Sequence, residues 1–470
     1  MRWACILFPQ LALDAQLRTR EDPLQPLVLL SGPPQRRVLQ AVSPAARELG
    51  LRAGQTLTAA RALSDDFACA EHDAEQIDYW QRFLASWAYQ FSAHVSLDYP
   101  RALLLEVESS MALFGPWSRF EARLREDLHE LGFSHRIALA PNALAARVLV
   151  NVADGLALDE AQWAQYLPDL PVSRSGFAPE LAAALARMGL RQLRQVLALP
   201  RASLARRFPP SLLDHLDILQ GLHPLALGCY LPPDHFAGRV EFNFDVESIA
   251  SLLFPLRRLT ADLSAFLAGR DCGVQRFVMW LEHREGEPTQ VPVGLLSAER
   301  QAGMLFELAR GRLEAVQLRA PVQAFALWAE ELPHFVPAAA ELFVERPQQS
   351  LPWEQLRERL RARLGDDAVQ GVALCADHRP EHAWSGVPNH GRQPATSQVS
   401  RPGWLLHEPQ LLDDLFPRIL CGPERIESGW WDGGDTRRDY YLIETRDGRR
   451  AWAFHGAGQT GPLWVHGWFA

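Results

Sequence analysis

Apolar residues recur along the first 165 residues in two alternating patterns. Short apolar runs such as ALLLEVES (102–109) are typical of buried strands, whereas segment 74–92 has apolar residues at the spacing of one helix face. Segment 117–132 has the same amphipathic helical spacing. Strands and helices mixed in this way predict a palm-like sheet covered by helices, in the α/β or α+β class.

The rest of the chain changes pattern several times. It is helical from about 165 to 225, with two helix–turn–helix units, and from about 235 to 335 it follows the order strand, helix, strand, strand, helix, strand. The Pro- and Gln-containing string VERPQQSLPW (344–353) forms a joint, and the end of the chain is rich in Trp, Tyr and Gly turns. We therefore predict a multi-domain protein with the divisions 1–165, 166–230, 235–343, 344–403 and 404–470, the last a small β-rich module.

Bulk composition narrows the class of protein. The chain has 470 residues, of which 48% are hydrophobic and 22% charged, as in globular proteins, and no apolar run approaches the ~20 residues of a membrane span. The six cysteines form no C-x-x-C pair, so no zinc site or disulfide framework is predicted and a cytoplasmic location is expected. The net charge is −9, so any nucleic-acid-binding surface must be a local patch, and it must use arginine because the sequence contains no lysine.

The order of these segments resembles the Y-family DNA polymerases of the DinB type, with palm and fingers, a helical thumb and a little finger. The strings ILFPQLALDA, LLLEVESSMALFG and APNALAAR carry the resemblance in the palm. The C-terminal strings GPERIESGWWDGGDTRRDYY (422–441) and WVHGWFA (464–470) are similar to one catalytically degenerate branch of that family. The resemblance covers the whole chain, and it implies a bacterial, nucleoid-associated protein of translesion synthesis and mutagenesis in the SOS response to DNA damage.

The resemblance also implies that this sequence lacks the metal-binding carboxylates of active relatives. Polymerases transfer nucleotides with two metal ions held by clustered carboxylates. Phe8 stands where active relatives have the aspartate of the first strand, and Arg101 and Ala102 stand where they have an Asp–Glu pair. We therefore expect no catalytic residue, no metal site and no cofactor. A shifted register is the alternative, in which Asp98 and Asp14 serve as displaced ligands of an active translesion polymerase.

Other positions of the resemblance concern DNA. Arg47 and Arg147 lie near the positions at which relatives grip the triphosphate, and Gly176 retains one of the two glycines of a helix–hairpin–helix, a motif that exposes backbone amides to phosphate. Arg187 and Arg191 follow on the next helix. These residues are candidates for sequence-independent DNA binding. The alternative is that the arginines are ordinary solvated side chains on helix surfaces.

The joint after the little-finger-like segment carries a short peptide motif. Proteins that bind the bacterial sliding clamp use a peptide of the type Q-x-x-L-x-aromatic, in which few residues provide most of the affinity. Gln348, Leu351, Pro352 and Trp353 fit this pattern and follow the little-finger-like segment, where relatives place theirs. The alternative is an ordinary helix start with a proline in its first turn.

The C-terminal module has no counterpart in active polymerases. Trp430, Trp431, Tyr440 and Trp464 are candidate partner-binding residues, because aromatic side chains are enriched in interfaces. Some of the aromatic residues must instead form a small core. The expected partners are DNA, the sliding clamp (the β subunit of DNA polymerase III), an error-prone replicative-type polymerase α subunit and a RecA-like accessory protein. The function expected is an adaptor that does not copy DNA, and a plain DNA-binding or interaction module without a clamp partner is a third hypothesis.

Overall fold

The computed structural model describes residues 1–20, 22, 24–336, 353–364, 368–369, 371–386, 401–413 and 416–469. The chain divides into two compact units, Met1–Arg363 and Leu364–Ala470. Within the described residues, no helix is both long enough and apolar enough to span a bilayer. The mixed α/β architecture predicted from the sequence is confirmed, with a separate β-rich sheet near the C-terminus.

The N-terminal part of the first unit is built around two sheets. Its elements are β1 (Trp3–Leu7), α1 (Leu11–Leu17), β2 (Leu27–Ser31), β3 (Val38–Val42), α2 (Pro44–Glu48), α3 (Leu57–Arg61), β4 (Ala68–Glu71), α4 (Ala74–Ala88), β5 (Val95–Ser96), β6 (Ala102–Glu106), α5 (Met111–Phe114), α6 (Trp117–Glu130), β7 (Arg136–Ala140) and α7 (Ala143–Val152). An antiparallel sheet has the order β5-β6-β1-β7, and a smaller sheet has the order β3-β2-β4.

The larger sheet, called the palm-like sheet below, carries apolar residues on both of its faces. Along β1, Ala4 and Ile6 belong to one buried cluster, whereas Cys5 and Leu7 belong to a second cluster on the opposite face. Helix α4 contributes to the first cluster, and α7 to the second. The Asp73 side chain caps α4 by accepting hydrogen bonds from the backbone N–H groups of the first turn. The continuous apolar runs seen in the sequence are therefore strands buried on both sides.

A helical segment follows the palm-like sheet. It contains α8 (Glu160–Tyr166), α9 (Pro179–Arg187), α10 (Leu193–Leu197), α11 (Arg201–Arg207) and α12 (Ser211–Leu219), with 3-10 turns at Leu167–Asp169 and Val172–Arg174. Its apolar residues, including Leu185, Leu193 and Leu212, join the cluster beneath α7. The predicted helical pattern of this region is confirmed.

The next segment is a small α+β layer. Its elements are β8 (Phe236–Val246), α13 (Ile249–Gly269), β9 (Val274–His283), β10 (Thr289–Glu299), α14 (Ala302–Glu314) and β11 (Val322–Ala329), in the order predicted from the sequence. The strands form an antiparallel sheet with the order β10-β9-β11-β8. Helix α15 (Trp353–Leu364) follows.

This layer packs on the helices of the palm-like sheet through one continuous core. The guanidinium of Arg18 donates to both oxygens of Asp262, over 2.9 and 2.5 Å, and its Nε donates to the carbonyl of Leu131 over 2.8 Å. Both side chains are buried. Gly269 lies so close to the backbone of Ser86 that a Cβ atom would overlap its carbonyl oxygen. Because a buried ion pair leaves a costly lone charge when one partner is removed, Arg18 and Asp262 fix these elements together.

The second unit is dominated by one antiparallel sheet. A two-stranded sheet of β12 (Ala373–Leu374) and β13 (Trp384–Ser385) precedes β14 (Trp404–Leu411), β15 (Arg418–Ser428), β16 (Thr436–Glu444), β17 (Arg450–Gly456) and β18 (Trp464–Trp468). The order of the large sheet is β14-β18-β17-β16-β15. Ile443, Ala451 and Val465 fill one buried cluster of this sheet, and Tyr440 and Trp452 fill another.

Candidate functional site

Phe8 and Arg101 meet where β1 and β6 end in the palm-like sheet. The backbone N–H of Phe8 donates to the carbonyl of Arg101 over 2.8 Å, which extends the pairing of Leu7 with Ala102. The Phe8 ring has no exposed surface and packs edge-on against Phe133, with ring centroids 6.4 Å apart. An apolar core residue therefore fills the position at which the resemblance places the first metal ligand.

Arg101 sits in a tight turn that Gln81 holds in place. Its φ of 56° lies in the left-handed region, which is uncommon for a residue other than glycine. The Gln81 amide accepts from the backbone N–H of Arg101 over 3.0 Å and donates to the carbonyls of Tyr99 (2.8 Å) and Ala102 (3.2 Å). The guanidinium of Arg101 reaches the carbonyl of Pro9 over 3.3 Å. Gln81 was missed in the sequence, because a polar residue on a helix gives no sign of a partner twenty positions away.

Ala102 is buried on the other face of the sheet. It belongs with Leu7 to the cluster beneath α7, whereas Phe8 belongs to the cluster beneath α4. The side chains of Phe8 and Ala102 are thus directed into different cores, and neither carries an oxygen ligand.

Asp14, one of the two alternative ligands, is engaged in a structural contact. It lies on α1 and is buried, and its carboxylate accepts from the backbone N–H of Ser134 (2.8 Å) and from the Ser134 hydroxyl (3.2 Å). Burial raises the pKa of Asp14 to about 6. Its two oxygens hold the turn before β7 against α1.

Asp98, the other alternative ligand, holds a different segment. Its carboxylate accepts from the backbone N–H of Gly228 over 2.9 Å, which ties the palm-like sheet to the connection before β8. Glu106, at the opposite end of β6 from Ala102, is buried and accepts from the backbone of Glu108 and the hydroxyl of Ser109. Among the residues described by the structure, no three His, Cys, Asp or Glu side chains gather as a metal site would require.

The two palm arginines have different environments. Arg47 is exposed on α2. Arg147 lies on α7 with its Nε and Nη1 atoms buried and without a hydrogen-bond partner in the described part of the chain, and its guanidinium carbon is 5.4 Å from the centre of the Tyr99 ring. The two residues belong to separate elements, and only Arg47 presents its side chain openly to solvent.

Gly176, a predicted hairpin glycine, lies in the turn before α9. Its φ is 81°, and a Cβ atom there would lie 3.2 Å from the Val148 side chain and 3.3 Å from the His215 ring. Glycine is therefore required for backbone conformation and for packing, whatever the hairpin binds. Arg187 is exposed at the C-terminal end of α9, and Arg191 is exposed in the turn that follows this helix.

The predicted clamp-binding peptide is described only at its last residue. Gln348, Leu351 and Pro352 lie outside the described residues. Trp353 begins helix α15 and is 61% exposed.

Tyr440 corrects one prediction for the C-terminal module. It has no exposed surface, its ring stacks on Trp452 at 3.9 Å, and its hydroxyl pairs with the Nδ1 atom of His466 over 2.7 Å. Burial raises the pKa of Tyr440 to about 12. Tyr440 is thus a core residue and not a surface for partners, because its position in β16 turns it inward.

Trp430 and Trp431 lie on the turn between β15 and β16, with their side chains exposed. Their side chains are 76% and 60% exposed, and the rings meet edge-on at 5.6 Å. Gly429, with a φ of 87°, leaves no room for a Cβ atom beside the carbonyl of Gly434. This turn, 429–434, is called the tryptophan turn below. Trp464, on β18, is 42% exposed.

The buried side chain of Arg379 holds the tryptophan turn in place through an ion pair. Arg379 donates to both oxygens of Asp432, over 3.0 and 2.6 Å, and to Asp377 over 2.8 Å. Its guanidinium carbon lies 5.9 Å from the centre of the Trp431 ring. The ion pair lowers the pKa of Asp432. Arg379 could not be recognised from the sequence, because Asp432 is more than fifty residues away.

Comparison with known proteins shows what this chain is similar to. Residues 12–151 match the model of the impB/mucB/samB family. The chain is 28% identical over 461 residues to Protein ImuB of Caulobacter vibrioides (strain NA1000 / CB15N), which covers 90% of this chain and all of that protein. Among solved structures, DinB from Sulfolobus solfataricus is 14% identical over 72% of this chain and all of its own (TM-score 0.41). An insertion ternary complex of Dbh DNA polymerase is 12% identical over 71% of this chain and 99% of its own (TM-score 0.42).

In the matched segment, to which most of the palm-like sheet belongs in sequence, the chain is similar to the impB/mucB/samB family. The chain also resembles ImuB along nearly its whole length, which confirms the resemblance predicted from the sequence.

Proposed function

We propose that this protein is an adaptor in DNA-damage-induced mutagenesis that retains the Y-family fold and has lost nucleotidyl transfer. The observation that carries the proposal is the pairing of Phe8 with Arg101. Two-metal catalysis needs clustered hard oxygen ligands. At this point of the sheet the chain offers an apolar ring, a guanidinium and, on the other face, the methyl group of Ala102.

The proposed adaptor holds DNA without reading its sequence. The candidate contacts with phosphate are the Gly176 turn before α9, the exposed Arg187 at the end of α9, the exposed Arg191 in the turn after it, and Arg47 on α2. Arginine suits this task because its planar guanidinium binds phosphate through two hydrogen bonds. Binding of this kind weakens steeply as salt rises.

The peptide 348–353 binds the sliding clamp in this proposal. Its support is the Q-x-x-L-x-aromatic pattern, its place after the little-finger-like layer and the exposure of Trp353. The clamp would keep the protein on DNA at a stalled replication site. The avidity of DNA and clamp contacts together would exceed that of either alone.

The C-terminal unit recruits the proteins that act at the lesion. The proposed partners are ImuA, the RecA-like accessory protein, and the α subunit of an error-prone replicative-type polymerase. The tryptophan turn and Trp464 are the proposed contact residues, because exposed tryptophans held on ordered backbone give large contact area at low entropic cost.

A clamp-capture experiment tests the adaptor function. Purified sliding clamp is immobilised, and the full chain is compared with the double variant Gln348→Ala, Leu351→Ala and with Gln349→Ala, which changes a spacer position. We expect the double variant to lose capture and the spacer variant to retain it. Absence of capture of all three proteins at moderate salt would instead favour a DNA-binding or interaction module without a clamp partner, and equal capture of all three would show that the peptide does not carry clamp binding.

A further inference from the structure

A cleft of about 670 Å³ lies within the first unit, away from the Phe8–Arg101 pair. One wall is formed by α1 and α4, and the other by strands β8, β9 and β11. Tyr79 joins the walls, because its hydroxyl donates to the carbonyl of Ala237 over 2.8 Å. With the Arg18–Asp262 ion pair in the core nearby, the two walls are fixed and the cleft is preformed. A preformed cleft of this volume is suited to binding a ligand or a short peptide segment.

Aromatic rings line much of the cleft. Tyr79 and Trp80 come from α4, and Trp280 and Trp328 come from the opposite sheet. Trp328 is 40% exposed, with its ring stacked against His235 at 5.1 Å and its indole N–H donated to Glu330 over 2.9 Å. Faces of indole rings attract cations as well as apolar groups.

Carboxylates outnumber cations around the same cleft. Glu71, Asp73, Glu241 and Glu282 all line it, whereas Arg239 is the arginine among the lining residues. Arg239 is shared between two of them: it donates to Glu282 over 2.8 Å and also pairs with Glu241. Glu71 pairs with Arg37 at 2.5 Å, and Asp73 caps α4.

The balance of charge in the cleft is therefore negative. Two arginines, Arg37 and Arg239, face four carboxylates, which leaves a net charge of about −2 at neutral pH. A negative field between low-dielectric walls repels phosphates and concentrates cations. The cleft is thus electrostatically unsuited to DNA and complementary to a basic ligand.

We propose that this acidic cleft, lined by Glu241, Glu282, Trp280 and Trp328, binds a basic segment of a partner protein. An arginine or lysine side chain enters between the indole rings, and its charged end faces the carboxylates of Glu241 and Glu282. The residues that line the cleft fall between Ala15 and Trp328, so they are different residues from those of the tryptophan turn and of the peptide at 348–353. The cleft therefore adds a third protein contact that does not depend on either of them.

Binding of a labelled peptide tests the acidic cleft. The probe is a fluorescein-labelled peptide of alternating arginine and glycine that carries one benzophenone, used with the full chain at low ionic strength. We expect Glu241→Gln with Glu282→Gln to weaken binding about tenfold or more, because two attracting charges are lost. Irradiation of the wild-type complex should attach the peptide to strands β8, β9 or β11, as read by mass spectrometry.

Matched controls keep the test decisive. Glu160→Gln with Glu180→Gln removes the same charge from exposed positions elsewhere in the unit, and we expect binding within twofold of wild type. Thermal unfolding shows that each variant is folded. The proposal fails if both pairs weaken binding equally, if the peptide attaches elsewhere, or if a single-stranded oligonucleotide competes for the cleft.

Discussion

Phe8 donates its backbone N–H to the carbonyl of Arg101 over 2.8 Å, and the side chains of the two residues lie in different environments. The Phe8 ring is fully buried beneath α4, whereas the Arg101 guanidinium points outward to the carbonyl of Pro9. Where β1 and β6 end, the chain is therefore held by a backbone hydrogen bond and by the packing of a buried apolar ring. Its stability depends on the buried ring of Phe8 and on the turn at Arg101.

Replacement of Phe8 tests that dependence. Phe8→Ala should lower the free energy of unfolding by about 3–5 kcal/mol, because a buried aromatic ring is removed and a cavity remains. Phe8→Asp should destabilise at least as much without producing nucleotide incorporation, since a buried carboxylate without partners adds a desolvation cost. Urea unfolding measures both, and Phe244→Ala, at a ring that is 69% exposed, should change stability by less than about 0.5 kcal/mol.

Asp14 should make stability depend on pH. Its pKa is raised to about 6 by burial, from an ordinary value near 4, so the folded state binds more protons than the unfolded state between these pH values. Stability therefore falls as pH rises from about 4 to 6. Asp14→Asn should remove this loss, so its stability relative to wild type should be higher at pH 7 than at pH 4.5 by on the order of 2 kcal/mol.

The measurement is the midpoint of chemical unfolding for wild type and Asp14→Asn at pH 4.5 and pH 7. We expect the advantage of the asparagine variant to shrink at the lower pH. A constant difference between the two proteins would contradict the assignment of the pH dependence to Asp14.

Much of the fold follows from the sequence pattern, and the exceptions share a cause. The helices and strands around the palm-like sheet were predicted because apolar spacing is local. The Arg18–Asp262 pair joins residues 244 positions apart, and Arg379 reaches Asp432 across 53, so neither appears in any periodicity. Composition identified the aromatic residues of the C-terminal unit, but it could not separate buried Tyr440 from exposed Trp430.

Alanine substitutions at Gly176 and Gly189 distinguish the cost of lost packing space from the cost of the backbone conformation. Both have a φ of 81°, but a Cβ atom would touch Val148 and His215 at Gly176 and nothing within 4 Å at Gly189. Gly189→Ala should cost about 1–2 kcal/mol for the left-handed conformation alone. Gly176→Ala should cost measurably more in the same unfolding assay, and equal losses would mean that the contacts at Gly176 are relieved by small shifts.

The tryptophan turn should carry partner binding. Trp430→Ser with Trp431→Ser should weaken binding of the purified accessory protein or polymerase α subunit more than about tenfold, because central aromatic anchors dominate interfaces. Arg379→Met should weaken it through loss of the anchored turn. Trp404→Ser is the matched control at an indole that is 72% exposed, and it should bind as wild type does in surface plasmon resonance.

Loss of nucleotidyl transfer is tested most directly by primer extension. The full chain is incubated with a primed template, the four deoxynucleotides and either Mg²⁺ or Mn²⁺, and single-nucleotide incorporation is measured at high protein concentration. The proposed function predicts no incorporation above a control without protein. Incorporation by the wild-type chain that disappears in Asp98→Ala or Asp14→Ala would contradict it and identify an active polymerase with displaced metal ligands.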